Sequence, residues 1–184
     1  MTPILTKWVY IIKSDGRYKA RLVVQGCKQE KEPQEHQSIF APVVKGVTIR
    51  LIIAQACMLR LHIYQMDVSN AFCYTDIAGY VYVGTSDDEE VESGWCHMLQ
   101  KSLYGLRSSP RSWIIHIDKF IKSLNFQSCV LDPCLCYQYH HGQLALICVY
   151  VDDIIICTSD MQYMVEIKNS FLDRYDMTAH HWGG

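Results

Sequence analysis

The chain has 184 residues, 49% of them hydrophobic and 20% charged, the balance of a globular protein with one core and not of a disordered or fibrous chain. Lys plus Arg number 17 against 19 for Asp plus Glu, a formal charge of -2, so no global field draws in a polyanion and any nucleic-acid contact must come from a local patch. The 9 cysteines are odd in number and irregularly spaced; with no secretory apolar run behind Met1, they predict reduced thiols in an intracellular protein. The longest apolar stretch, Leu144 to Val151, is too short to cross a bilayer, so no membrane partner is expected.

Trp8 to Lys13 and Tyr18 to Gln25 are β-prone runs flanking Ser14-Asp15-Gly16, which predicts a hairpin. Arg17, Lys19 and Arg21 alternate along the second run, so an extended strand projects all three from one face. That makes a local basic stripe, with a plain solvated strand face as the simpler alternative. Residues 27–45 are polar and turn-rich and read as a connecting segment. Val47 to Leu59 is apolar nearly all round, which predicts a buried core helix, with a strand as the alternative its β-branched residues leave open. His62 to Val68 reads as a strand with an aspartate near its end, followed by a helical turn through Ala71 and Phe72. Residues 85–94 form an acidic, solvated loop.

From Pro110 onward, Trp113, Ile117, Phe120, Ile121 and Leu124 recur at helical spacing, with Asp118, Lys119 and Lys122 opposite, so an amphipathic helix is expected. Two strands follow, Leu135 to Tyr139 and Gln143 to Val151, joined at His140-His141-Gly142, then a third run, Ile154 to Cys157. Met161, Met164, Val165, Phe171, Leu172 and Tyr175 mark a last amphipathic helix. The tail, Thr178 to Gly184, carries no pattern.

The physical anomaly is Tyr150-Val151-Asp152-Asp153, two neighbouring carboxylates between apolar runs. Desolvating one ionised carboxylate is costly, and two side by side oppose each other's ionisation unless a cation compensates. A sharp turn between buried strands would expose both, either as a solvated decoration or as ligands. The strand Tyr64-Gln65-Met66-Asp67-Val68 delivers a third aspartate. Oxygen-only donors from different strands suit Mg²⁺ or Mn²⁺, and two such ions can serve phosphoryl transfer. A zinc module built from Cys134, Cys136, His140 and His141 is the weaker alternative, because its spacings depart from the usual finger patterns.

Five stretches, RYKARLVVQG (17 to 26), FAPVVKGVTIR (40 to 50), QMDVSNAF (65 to 72), KSLYGLRSSPRSW (101 to 113) and YVDD (150 to 153), occur in an order and spacing that resembles the reverse transcriptase domain of Ty1/copia-type LTR retrotransposon Pol polyproteins. The resemblance implies an α+β right-hand polymerase. Its fingers would occupy about 1–45 and 77–104 and its palm about 46–76 and 105–184, the palm being an antiparallel sheet with helices packed on one face. The chain stops soon after the helix following YVDD, so the thumb is expected to be absent and the chain to be a partial domain with weak or no polymerisation on its own.

The same resemblance implies an RNA-directed DNA polymerase, a nucleotidyltransferase acting on an RNA or DNA template with primer and deoxynucleoside triphosphates. Asp67, Asp152 and Asp153 would be catalytic and, with the Val68 carbonyl, would hold two Mg²⁺ or Mn²⁺ ions. Lys19, Arg21, Phe72, Tyr104 and Gly105 would bind the nucleotide, Phe72 by crowding the sugar 2′ position, with a plain core role as its alternative, and Gly105 by letting backbone approach the base. Arg107, Pro110 and Arg111 would contact template and primer, although both arginines read equally well as surface residues. Other Pol regions, RNase H and integrase, are implied partners, and cytoplasmic particles and the nucleus are the implied locations. EHQSIFAPVV before the core helix and AFCYTD after the first aspartate depart from the family's usual wording, and VGTSDDEEVESG replaces a usually proline- and glycine-bearing segment. A catalytically inactive remnant, or a palm fold adapted as an interaction module, is the alternative function.

Overall fold

A computed structural model describes residues 3–28, 40–77, 79–84 and 95–182. The acidic loop at 85–94 and most of the connecting segment therefore lie outside the described residues. The chain divides into two compact units, the first formed by Met1–Ala41 and Phe72–Trp113, the second by Pro42–Ala71 and Ile114–Gly184.

In the first unit, β1 (Thr6–Ile12) and β2 (Tyr18–Val24) form the expected antiparallel hairpin. Its turn is closed by Lys13 and Gly16 backbone hydrogen bonds, and Gly16 takes a φ of +82° that suits glycine. Arg17 stands just outside β2 and is committed to Asp15, whose carboxylate it meets at 2.7 Å, so the basic stripe reduces to Lys19 and Arg21. A second, two-stranded pair joins β4 (Tyr82–Val83) to β5 (His97–Met98). Val24, Val83 and Leu106 form a small buried cluster, supported by Ile4, Val81, Leu99 and Leu103.

The second unit is a six-stranded antiparallel sheet built from β3 (His62–Val68), β6 (Gln127–Ser128), β7 (Leu135–His140), β8 (Gln143–Tyr150), β9 (Asp153–Thr158) and β10 (Met177–Trp182). Their spatial order is β10-β3-β9-β8-β7-β6. The β7–β8 turn is the two-residue loop His141-Gly142, both at positive φ, the geometry whose twist matches a hairpin. The patternless tail is the main departure: it forms β10, pairing with β3 from Met177 opposite Val68 to Trp182 opposite Ile63. Backbone hydrogen bonding recruits it where hydrophobic alternation gives no signal.

Helix α1 (Gly46–Met58) lies where expected, but only Ile52 and Ala56 are buried, and Val47, Leu51 and Met58 are exposed; an apolar sequence all round does not by itself bury a helix that packs on one side. Helices α2 (Ser109–Ser123) and α3 (Met161–Leu172) match their periodicity. Asp160 caps α3 by accepting from the Tyr163 N–H at 3.0 Å. The expectation that helices pack on one face is corrected. Ile52 and Ala56 of α1 pack with Ile63, Cys148 and Cys157, whereas Tyr163 of α3 stacks on His140 at 3.9 Å and Lys168 sits over Tyr64 at 3.9 Å, on the opposite face. Phe120 of α2 packs edge-on against Phe171 of α3 at 5.0 Å. The reason is in β9: Ile154, Ile156 and Thr158 are fully buried on one face, and Ile155 and Cys157 need cover on the other.

Candidate active site

In the second unit, the register of three strands collects acidic groups at one end of the sheet. Asp67 on β3 lies directly opposite Asp153 on β9, and Asp153 in turn lies opposite Tyr150 on β8. Thr178 of β10 flanks Asp67 from the other side. Directly opposed residues of an antiparallel pair share a face, with Cβ atoms about 4.5–5.5 Å apart, and like charges there are destabilising. Asp152 occupies the connecting turn, and its carbonyl accepts a 2.9 Å hydrogen bond from the Val68 N–H, which ties the turn to the end of β3. Helix α1 covers the Ile63–Cys157 portion of this face, while Asp67 and Tyr150 remain exposed.

The turn itself is strained. Val151 adopts φ +57°, a left-handed conformation costing a β-branched residue about 1–2 kcal/mol. In a two-residue hairpin loop this position ordinarily belongs to glycine. Such strain persists only where the surroundings over-determine it, and it clusters at functional sites. Beside the turn, Gln65 donates a 2.9 Å hydrogen bond from Nε2 to Asp153 Oδ1.

The donor set fits a hard divalent cation: three carboxylates and the Val68 carbonyl offer oxygen only, as Mg²⁺ and Mn²⁺ prefer. Among the described residues no three His, Cys, Asp or Glu side chains form a ready metal cluster; what brings the aspartates together is the ladder. The residues considered for zinc are otherwise engaged. The Cys134 thiol lies 3.4 Å from the Pro42 carbonyl and that of Cys136 3.8 Å from Ser128 Oγ, and His140 stacks on Tyr163. Burial pushes the Cys134 thiol up to about 11, far from the thiolate a metal would need.

The residues expected at the nucleotide fall in the first unit. Lys19 and Arg21 share a face of β2, and the Arg21 guanidinium lies 4.7 Å from the Tyr104 ring centroid, a cation–π contact. Arg21 Nε is buried without a hydrogen-bond partner among the described residues. The Tyr104 ring meets that of Phe72, itself buried, at 4.6 Å. Gly105 has φ +92°, and a Cβ there would stand 1.9 Å from the Val24 carbonyl oxygen. Its close backbone approach is thus to β2, fastened by the Val24 N–H donating to the Tyr104 carbonyl at 2.8 Å. Arg107 donates from Nε to the Gly26 carbonyl at 2.9 Å, and Arg111 from Nη1 to the Phe40 carbonyl at 2.9 Å, so both guanidinium groups brace backbone. Pro110 sits in the first turn of α2, where it sacrifices no helical hydrogen bond.

Two contributors were not singled out in the sequence. Asp132 accepts from Thr48 Oγ1 at 2.6 Å and from the Lys45 N–H at 3.0 Å, so a residue distant in sequence caps α1, whose own N-cap Lys45 makes no side-chain cap bond. Burial pushes the Asp132 carboxyl up, but the Thr48 hydroxyl and the Lys45 and Cys134 N–H groups more than offset it, and its pKa lies below the ordinary value. Gln65 was findable: it stands two residues before Asp67 and so shares its face.

Comparison with known proteins agrees on one family. The family described as reverse transcriptase (RNA-dependent DNA polymerase) matches residues 1–181. The retrovirus-related Pol polyprotein from transposon TNT 1-94 of Nicotiana tabacum is 37% identical over 95% of this chain, and that from transposon RE1 of Arabidopsis thaliana is 30% identical over 98%. The chain spans 14% and 13% of those two proteins. An apo telomerase structure from Candida tropicalis superposes with a TM-score of 0.50 at 10% identity, covering 100% of this chain and 51% of the telomerase chain, a likeness of fold.

Proposed function

The chain belongs to the reverse transcriptase (RNA-dependent DNA polymerase) family, as its copia-type motifs anticipate, and from that premise we propose that it carries out templated nucleotidyl transfer at the acidic end of its six-stranded sheet. The observation that carries the reading is the cross-strand pairing of Asp67 with Asp153 beside the strained turn that holds Asp152. Two opposed carboxylates call for a cation. Asp67, Asp152, Asp153 and the Val68 carbonyl would hold two Mg²⁺ or Mn²⁺ ions. Bound there, the ions would supply Lewis-acid stabilisation of the attacking and leaving oxygens.

Fingers at about 1–45 and 77–104 would fall largely in the first unit, and a palm at about 46–76 and 105–184 largely in the second. Lys19 and Arg21 would draw in the triphosphate of a deoxynucleotide, with Arg21 oriented by its contact with the Tyr104 ring. Phe72, fixed against Tyr104, would exclude a ribose 2′-hydroxyl. Arg107 and Arg111, engaged with backbone carbonyls, would support the template–primer path by bracing the segments that line it. The substrates are then an RNA or DNA template with its primer and deoxynucleoside triphosphates. The wider setting is a Pol polyprotein with RNase H and integrase, acting in cytoplasmic particles and the nucleus. Among the described residues no helix is long and apolar enough to cross a membrane.

Extension of oligo(dT) on poly(rA) with dTTP and Mg²⁺ tests the reading. Incorporation that vanishes in Asp152→Asn is expected. Incorporation that is equal in the variant, or that needs no divalent cation, overturns it.

A further inference from the structure

The proposed cation site, on which this inference rests, is only as well defined as the orientation of its carboxylates, and a neutral side chain governs one of them. Gln65 and Asp67 alternate on β3 and so face the same way. Gln65 lies opposite Ile155, and Asp153 opposite Asp67, so the 2.9 Å hydrogen bond from Gln65 Nε2 to Asp153 Oδ1 runs diagonally across the ladder. It ties one Asp153 oxygen to a side chain of the next same-face position along β3 from Asp67. An amide donor removes no negative charge from the site, yet it occupies one oxygen of Asp153.

We propose that Gln65 is a positioning residue. It eases the repulsion between Asp67 and Asp153 before a cation arrives, and it holds Asp153 back so that Asp67 and Asp152 carry the principal cation contacts. The three aspartates are therefore unequal by construction, and a side chain outside the acidic set makes them so. A glutamate at this position would lose the donor and add a fourth negative group; an apolar residue of equal length would lose the donor alone.

Mn²⁺ titration of the full chain, followed by the paramagnetic resonance signal of the free ion, reads this restraint without requiring turnover. With the donor gone Asp153 can turn toward the cation, so Gln65→Met should bind Mn²⁺ about three- to tenfold more tightly than the parent. Asp153→Asn should weaken binding by itself and should erase the gain, so that Gln65→Met changes the affinity by less than about twofold in the Asp153→Asn background. Gln65→Glu, which preserves shape, should also tighten binding. Equal affinity in the parent, Gln65→Met and Gln65→Glu overturns the proposal, as does a Gln65→Met gain that persists in full in the Asp153→Asn background. The Asp67→Asn variant separates this failure from that of the underlying reading. Mn²⁺ binding indifferent to Asp67 sinks the cation site itself, while binding that needs Asp67 but ignores Gln65 sinks the positioning role alone.

Discussion

In the second unit the aspartates stand on neighbouring rungs of a hydrogen-bonded ladder, Asp67 opposite Asp153 with Asp152 tied to Val68. In the first, Arg21, Tyr104 and Phe72 form a chain of ring and guanidinium contacts on a hairpin and a loop fastened by glycine contacts and arginine-to-carbonyl bonds. Strand register fixes where a side chain starts to within a fraction of an ångström and is hard to perturb from outside. Loop packing depends on single residues that leave no space. The acidic end should therefore tolerate changes around it better than the basic, aromatic region tolerates changes in the loop beneath it.

The sharpest way to break this contrast is Gly105→Ala. Its Cβ would meet the Val24 carbonyl oxygen at 1.9 Å with φ at +92°, so the loop must move and the hairpin with it. We expect a loss of about 3 kcal/mol or more, seen as a lower denaturant midpoint; an unchanged midpoint would show that the loop yields easily. In the second unit, Asp132→Ala should cost about 1–3 kcal/mol by removing the cap of α1 and leaving buried N–H groups unpaired, while the β3–β9 ladder persists. Its pH dependence has a definite sign. Because the folded pKa lies below the ordinary 3.8, the stabilisation is complete above the unfolded value and disappears as pH falls through the folded one. Asp132→Asn should accordingly flatten the acid limb of the stability curve.

How far the sequence disclosed these two regions follows from what each is made of. Period-two and period-3.6 patterns marked β3, β8, α2 and α3 because burial writes itself into alternation, and the acidic triplet stood out because charge beside apolar strands is anomalous. Strand β10 left no trace, since Thr178, Ala179 and His180 are exposed and bring mainly backbone hydrogen bonds to the edge of β3. The cap from Asp132 and the bracing roles of Arg107 and Arg111 depend on residues more than 70 positions apart, which no local pattern encodes. The second helix-covered face of the sheet was legible in principle in the unbroken run Ile154 to Cys157.

Smaller effects sharpen the comparison. Val151→Gly should relieve the left-handed strain and raise stability by about 1 kcal/mol, roughly 2–4 °C in melting temperature for a chain of this size; a decrease would mean that the valine side chain holds the turn. The thiols should divide by burial. Cys148 and Cys157, pushed up to about 12 by burial, should resist a disulfide reagent at neutral pH until the chain unfolds, while the exposed Cys27, Cys57 and Cys96 react at once. Uniform reaction of all nine would contradict the core drawn for the second unit.

The central claim is that the strand register makes a divalent-cation site from Asp67, Asp152 and Asp153. Mn²⁺ titration of the chain beside its Asp67→Asn and Asp152→Asn variants tests it most directly. Affinity should fall at least about tenfold in each variant, about 1.4 kcal/mol, with melting temperatures in metal-free buffer no lower than the parent's. Mn²⁺ binding of equal strength in all three proteins would contradict the account.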